Sequence, residues 1–341
     1  MENKPLVSVS VVNYNGRIFL PEFFDSLFKQ TYKNFEVIFV DNCSVDDSIE
    51  YVRNNYPQVK VIENKDNSGY AEGNNIGYRH SRGEFILVMN NDTILKEDLI
   101  EKLIQAFTEI PNLGTVQPMV RLMNDRNKLD ACGSYWTDTG FNYHYGIYKN
   151  ADLPIYNRSF PVYSVKGMCM MIPRKVIEQI GLFDKDFWCY FEETDFCHRL
   201  WLAGYECWYY PKTFIYHHMG GTSSKKPPTF IQFHSFKNRL CSYLKNLGPL
   251  EMIRVLPIYF LFNVAWSLAF LVKLDLKNFF VVYRAIWWNI IHFGRTMNKR
   301  KTIQMSMRKN TDEEIFSRVR RNPRLSYYAY LFRGLGNYND N

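Results

Sequence analysis

The sequence has no Cys-x-x-Cys pair, and its seven cysteines are scattered. An odd number without that spacing argues against a zinc site or a disulfide framework, and for the reducing cytosol. A P-loop of the form Gly-x-x-x-x-Gly-Lys-[Ser/Thr] is missing. Gly69, Gly73 and Gly77 recur every four residues and so do not make the Gly-x-Gly-x-x-Gly dinucleotide fingerprint. No charged n-region and apolar core open the chain, because Leu6 to Val12 is too short and too β-like for a signal peptide. Internal repeats and low-complexity tracts are absent too, which excludes solenoid and array architectures.

What is present is a chain of 341 residues, enough for one large or two ordinary domains. Its formal net charge of +8 is uneven. Residues 295–324 carry Arg295, Lys299, Arg300, Lys301, Arg308, Lys309, Arg318, Arg320, Arg321 and Arg324 against Asp312, Glu313 and Glu314. A basic tail behind an aromatic, apolar stretch points to an anionic membrane surface rather than to nucleic acid.

Leu6 to Val12 alternates with period two and predicts a first strand, closed by the turn Asn13-Tyr14-Asn15-Gly16. Phe19, Phe23 and Leu27 form the stripe of a helix. Phe35 to Val40 predicts a second strand ending in Asp41-Asn42-Cys43-Ser44. Ser44 and Asp47 have capping-box spacing for a helix through Ile49, Val52 and Tyr56. Val59 to Ile62 is a short third strand. Phe85 to Met89 is a run of apolar residues without alternation, as in a strand buried on both faces. It runs into Asn90-Asn91-Asp92-Thr93, after which an amphipathic helix is expected. The alternation of strands and helices predicts an α/β fold with a parallel sheet, whose ligands bind at the carboxyl ends of the strands.

Two acids therefore lie at strand ends. Asp92, flanked by amides, suits a hard divalent cation. Asp41 can accept the ring N3–H of a uracil or thymine base. The plain alternative for both is a turn or helix cap. Asn67 to Gly77 combines glycines that allow close backbone approach with a helix start whose N–H groups suit phosphate. Glu192, Phe196 and Ala203 have helical spacing, so Glu192, Glu193 and Asp195 open a helix beside Trp188, Tyr190 and Phe191. His217-His218, at the end of the strand Thr213 to Tyr216, can supply an imidazole to a divalent site. Residues 121–160 show no sustained period and read as an acceptor-facing connection, mobile until ligand binds.

In order, these stretches resemble the family 2 glycosyltransferases of the GT-A fold, which implies a Rossmann-like mixed sheet. The resemblance continues through Lys166-Gly167-Met168-Cys169-Met170-Met171-Ile172-Pro173-Arg174 and Gly181-Leu182-Phe183-Asp184. Next come Tyr190-Phe191-Glu192-Glu193-Thr194-Asp195, Arg199-Leu200, Ala203-Gly204-Tyr205 and Tyr216-His217-His218-Met219-Gly220-Gly221-Thr222-Ser223. It covers roughly residues 5–225 and is nearest the bacterial rhamnosyltransferase-like branch that builds surface polysaccharides. It implies an inverting, non-processive transferase with Mg2+ or Mn2+ as cofactor. Glu193 would be the catalytic base. Asn13, Asn15, Asp41, Gly69, Asn74 and Asn91 would hold the donor, and Gly167, Trp188, Glu192 and Asp195 the acceptor. Asp92, with His217 and its runner-up His218, would hold the metal. The family's metal motif is often Asp-x-Asp, whereas Asn90 takes the first position here, and Glu193 stands where aspartate is usual. Arg199-Leu200-Trp201 breaks the Gln-x-x-Arg-Trp of processive synthases, and Asn13-Tyr14-Asn15-Gly16 is not the Gly-rich loop of a nucleotidyltransferase. The alternative is a non-catalytic, nucleotide-sugar-binding membrane scaffold.

Beyond Lys226-Pro227-Pro228 the composition shifts, which suggests a catalytic domain over residues 1–228 and a helical extension over 229–341. Phe230 to Leu247 predicts an amphipathic helix with Lys237, Arg239 and Lys245. Val255 to Val272 has no charge, and Phe279 to Phe293 holds Trp287 and Trp288. Interfacial tryptophans and the basic tail favour helices lying in the headgroup layer over a spanning helix or hairpin. The expected location is thus the cytoplasmic face of the cell membrane. Expected partners are a nucleoside-diphosphate sugar, a saccharide or lipid-linked saccharide acceptor and an anionic membrane surface, without nucleic acid; a homo-oligomer stays open.

Overall fold

Alternating valines begin the sheet: β1 (Val7–Asn13) is buried along almost its whole length. The structure, a computed structural model, describes residues 4–220 and 227–328. Gly221, Thr222, Ser223 and Lys226 lie outside the described residues. After β1 come α1 (Leu20–Phe28), β2 (Phe35–Asp41), α2 (Ser48–Asn55), β3 (Lys60–Glu63) and α3 (Gly69–Arg79). β4 (Phe85–Asn90) is the expected doubly buried strand: Ile86 and Val88 point into one core, Leu87 and Met89 into another, all fully buried.

Two details differ from expectation. The helix expected directly after Thr93 is preceded by a short strand, β5 (Thr93–Leu95), and α4 (Leu99–Glu109) follows. Ser44 does not cap α2, because its backbone N–H and its hydroxyl both donate to the Asp41 carboxylate, at 2.7 and 2.6 Å. The sheet is mixed, as the family resemblance implies, and the parallel part that the strand–helix alternation predicts is its β1–β4 half. β6 (Leu113–Leu122), β10 (Cys169–Pro173) and β11 (Glu206–His217) complete a described order β3-β2-β1-β4-β10-β6-β11-β5, with β9 (Phe160–Pro161) paired to β11. β1, β2, β3 and β4 run parallel, while β10 runs antiparallel to β4 and β6.

Residues 121–160 form a packed wall rather than an irregular connection. β7 (Ser134–Tyr135) and β8 (Tyr143–His144) form a hairpin, and Trp136, Phe141, Tyr143, Tyr145 and Tyr156 are buried around it. Their irregular spacing hides this, since turns rather than a repeating pitch bring the rings together. Trp136 stacks on Phe316 at 4.7 Å between ring centres. Such a pair contributes about 0.5–1.5 kcal/mol beyond its buried area.

The remaining helices are α5 (Arg174–Ile180), α6 (Glu192–Leu202), α7 (Pro228–Asn246), α8 (Pro249–Val272), α9 (Leu276–Ile291), α10 (Phe293–Thr302) and α11 (Asp312–Val319). One apolar core joins Val88, Phe196 and Trp201 to Tyr243, Val255, Phe316 and Tyr327, so packing is continuous across position 228. α7 turns Lys237 and Lys245 inward, not to solvent, and both are buried. Half of the basic tail is engaged by acids of the protein. Arg295 and Lys299 pair with Asp186, Arg308 with Asp312, Arg318 with Glu206, and Arg320 with Glu251. Arg295, Lys301, Lys309, Arg318, Arg321 and Arg324 are nevertheless exposed, so part of the basic charge that the sequence shows stays at the surface.

α8 is inside out. Its buried residues, Glu251, Val255, Tyr259, Asn263 and Ser267, recur every four positions and are mostly polar. Its outer face exposes Leu250, Ile253, Leu261, Leu268 and Val272. α9 extends that face with Leu276, Phe280, Trp287, Ile290 and Ile291. Among the described residues α8 is the one helix long and apolar enough to cross a membrane.

Candidate functional site

The sheet delivers its polar strand ends to one edge. β5 pairs with β11 so that Thr93 lies opposite His217, and the His218 N–H donates to the Asp92 carbonyl at 2.9 Å. Asp92 and His217, far apart in sequence, thereby become neighbours. His217 Nδ1 is 2.8 Å from Asp130 Oδ2, while its Nε2 is 3.5 Å from Asp92 Oδ1. That Asp92 oxygen is buried and has no hydrogen-bond partner. Burial alone would lower the His217 pKa, but the Asp130 and Asp92 carboxylates more than offset it and hold the ring at about 10. Without a cation the two carboxylates favour the protonated ring. A divalent cation fits this donor set by taking the place of the Nε2 proton: the orphaned Asp92 oxygen and Nε2 would be its ligands, and Asp130 would orient the neutral imidazole from behind, a common arrangement at metal sites. Among the described residues no group of three or more protein ligands gathers at one point, so further ligands would come from diphosphate and water.

A cavity of about 460 Å³ opens beside this pair. Of the expected residues, Gly69, Asn91, Asp92, Gly167, Trp188, Glu192, Glu193 and His217 line it. Gly69 has φ +81°, and a Cβ there would come within 2.5 Å of the Trp188 carbonyl, so the helix start and the Trp188 loop touch only because the residue is glycine. Trp188, Tyr190 and Phe191 all have positive φ, a costly conformation for large side chains that concentrates at functional sites. Asn238 of α7 holds this loop, donating to the carbonyls of Phe187, Cys189 and Tyr190.

That loop delivers α6 with its acids first. Glu192 is buried with Oε2 unpartnered. Burial, then the neighbouring Glu193, raises its carboxyl well above the ordinary glutamate range. Burial raises Glu193 as well, while the Lys166 ammonium pulls it back. A carboxyl shifted upward in a cavity is suited to accept a proton near neutral pH.

Several expected residues do other work. Asp195 is not an acceptor contact: fully buried, it accepts from Arg199, Lys245 and Asn246. His218 lies outside the lining, its ring against Phe19, 3.9 Å from Glu22, so His217 alone of the pair faces Asp92. Asp41 lies beneath the cavity and accepts from Asn13 and twice from Ser44, filling three of a carboxylate's roughly four acceptor sites. Reading a base directly would require the Ser44 turn to move. Asn13 braces Asn91, whose amide donates to its Oδ1 at 2.6 Å, and Asn15 holds the Val45 N–H. Asn74 donates to the Tyr70 carbonyl within α3. Asn91 apart, these amides brace the loops around the cavity rather than line it.

Sequence reasoning missed Asp130, His144, Asn238 and the role of Arg239. Asp130 and His144 fall in the aperiodic segment, and nothing local marks them. Arg239 was visible only as one cation on a helix.

Residues 8–181, a little over half the chain, match the family model described as glycosyl transferase family 2. The chain belongs to this family. An uncharacterized glycosyltransferase of Haemophilus influenzae is 35% identical to this glycosyltransferase over 111 residues, 33% of this chain and 37% of that protein. The low-salt glycan biosynthesis hexosyltransferase Agl10 of Haloferax volcanii is 29% identical over 57% of this chain and 61% of its own. The N-acetylglucosaminyl-diphospho-decaprenol L-rhamnosyltransferase of Mycobacterium tuberculosis is 24% identical over 67% of this chain and 81% of its own, in keeping with the rhamnosyltransferase-like resemblance. Among solved structures, GalNAc-T7 with UDP, GalNAc and Mn2+ superposes with TM-score 0.58 at 16% identity, covering 72% of this chain and 48% of that one. The mannosyltransferase PcManGT of Pyrobaculum calidifontis with GDP-Man and Mn2+ gives 0.52 at 16% identity, covering 89% and 83%. The fold of this glycosyltransferase is GT-A, as the resemblance implied.

Proposed function

We propose that this glycosyltransferase moves a sugar, with rhamnose the favoured one, from a UDP- or dTDP-sugar to a saccharide or lipid-linked saccharide acceptor. Transfer would be inverting, non-processive and dependent on Mg2+ or Mn2+. The observation that carries this is convergence: the orphaned Asp92 oxygen, His217 and the Glu193 carboxyl group all face one cavity. Glu193 takes the proton from the acceptor hydroxyl as its oxygen attacks the anomeric carbon. The bond to the diphosphate breaks on the opposite face, and the electron pair leaves with the diphosphate. A positioned base contributes roughly 10²–10⁴ in rate. Direct displacement needs no second nucleophile. When bound, the cation supplies Lewis-acid stabilisation of the departing charge. The names of the decaprenol-linked rhamnosyltransferase and of neighbours with UDP or GDP-Man support the donor and acceptor classes.

The location that fits is the cytoplasmic face of the membrane, with residues 229–341 serving as the attachment region. α8 buries its polar stripe against the protein over most of its length and exposes its apolar face, the reverse of a helix in water. A helix held along its side in this way supports in-plane attachment, the apolar face entering the acyl boundary.

The test is donor hydrolysis and transfer with UDP- and dTDP-sugars, with Mn2+ and with EDTA. Metal-dependent release of the nucleotide is expected. Nucleotide binding without turnover of any donor would replace the enzyme by the non-catalytic scaffold.

A further inference from the structure

On the wall of the same cavity lies a cation that no carboxylate among the described residues neutralises. Arg239 projects from α7 between the rings of Phe141 and Phe191, 4.6 and 5.3 Å from their centres. Its Nε is buried and makes no hydrogen bond, and no carboxylate pairs with it among the described residues. A half-buried guanidinium whose buried Nε–H has no acceptor is costly, and a planar donor set of this kind matches phosphate oxygens. A second cation stands near it. Lys166 Nζ is 2.9 Å from His144 Nδ1, so it donates to that ring nitrogen. Burial, then Lys166 and Arg239, keep His144 well below its ordinary range, so it stays neutral and adds no third charge. Phe230, Ser235 and Arg239 put α7 on the cavity wall. The other side of α7 packs on α9, where Asn289 donates to the Lys237 carbonyl at 3.0 Å. The cavity wall with the free guanidinium therefore backs onto the helices with the exposed apolar face.

We propose that Arg239, assisted by Lys166, forms an anion subsite separate from the Asp92–His217 pair and takes the phosphate of a lipid-linked acceptor. This rests on the transferase reading above. Phosphate could also come from the sugar donor, and the experiment separates the two. Full-length protein in detergent is saturated with UDP and Mn2+ and titrated with farnesyl phosphate, with farnesol as the uncharged control. Arg239→Gln should weaken farnesyl phosphate roughly 10-fold or more, the loss of a charged hydrogen bond. Arg239→Lys should restore much of that loss. UDP affinity should stay within about twofold and farnesol binding should not change. An equal loss of UDP affinity would assign the guanidinium to the donor, and unchanged farnesyl phosphate binding would remove the subsite; either overturns the proposal. If wild-type protein binds no UDP with Mn2+, the donor reading fails instead, and the subsite is decided by the same farnesyl phosphate titration without nucleotide.

Discussion

Asp195→Asn is expected to destabilise the protein while sparing catalysis. The Asp195 carboxylate is fully buried and accepts from Arg199 Nε at 3.1 Å, Lys245 Nζ at 3.1 Å and Asn246 Nδ2 at 2.8 Å. The substitution keeps the shape and removes the charge. Lys245 would retain Asp184 at 2.6 Å, and Arg199 would retain the carbonyls of Ile180, Gly181 and Leu182. Removing one partner of a buried pair typically costs 3–5 kcal/mol, and because both cations keep other acceptors the low end, about 3 kcal/mol, applies. At about 2 °C per kcal/mol for a large chain, Tm should fall by about 6 °C. Burial pushes the Asp195 carboxyl up, but Lys245 and Arg199 hold it below the ordinary aspartate value of 3.8. A depressed carboxyl contributes stability that is present above 3.8 and lost as pH falls through the lower folded value. The gap between wild type and variant should therefore be full at pH 7 and shrink below pH 4. Thermal unfolding across that range, with acceptor KM at pH 7, checks it. An unchanged Tm together with a raised acceptor KM would refute the network and return Asp195 to the acceptor site.

Glu193→Gln should lower turnover by roughly 10²-fold or more with donor affinity within a few-fold; normal turnover there with a dead Glu192→Gln would move the base by one residue. The acid limb of kcat/KM should lie above the ordinary glutamate value of 4.5, since burial raises the Glu192–Glu193 pair and the ionised base is the active form. Lys166→Met removes the charge that pulls Glu193 down and should shift the limb to higher pH; a limb that stays put would exclude Glu193 as its source. Asp92→Asn should nearly abolish transfer with the fold intact, whereas Asp130→Asn should raise the Mn2+ needed for half-maximal rate by roughly 10–100-fold. His218→Ala should leave that requirement unchanged, and a Mn2+ titration of all three variants decides. Leu261→Glu with Leu268→Glu should reduce co-sedimentation with phosphatidylglycerol vesicles without changing UDP binding; undiminished sedimentation would take the α8 face out of contact with lipid.

Local periodicity was enough for the strands and helices that build the front of the site. Valine alternation in β1 and the unbroken apolar run of β4 specify strand burial through a two-residue repeat that any such strand must show. The turns after them, Asn13 to Gly16 and Asn90 to Thr93, could be placed at the binding edge for the same reason, since a strand end is known once the strand is. α6 was legible too, but not the direction of its acids. At about 100° per residue, Glu193 and Asp195 point to opposite sides of the helix, and only packing decides which side meets the cavity and which meets Lys245. Tertiary structure alone brought Asp130 behind His217 and Arg239 into the cavity that Glu193 lines, because both arrive from segments whose local pattern carries no mark of the site. It also joined the C-terminal helices to the catalytic core. A change of composition near Pro228 marks where the chain stops building sheet, but apolar side chains pack by proximity and shape, and Trp201, Tyr243 and Phe316 close one core across that point.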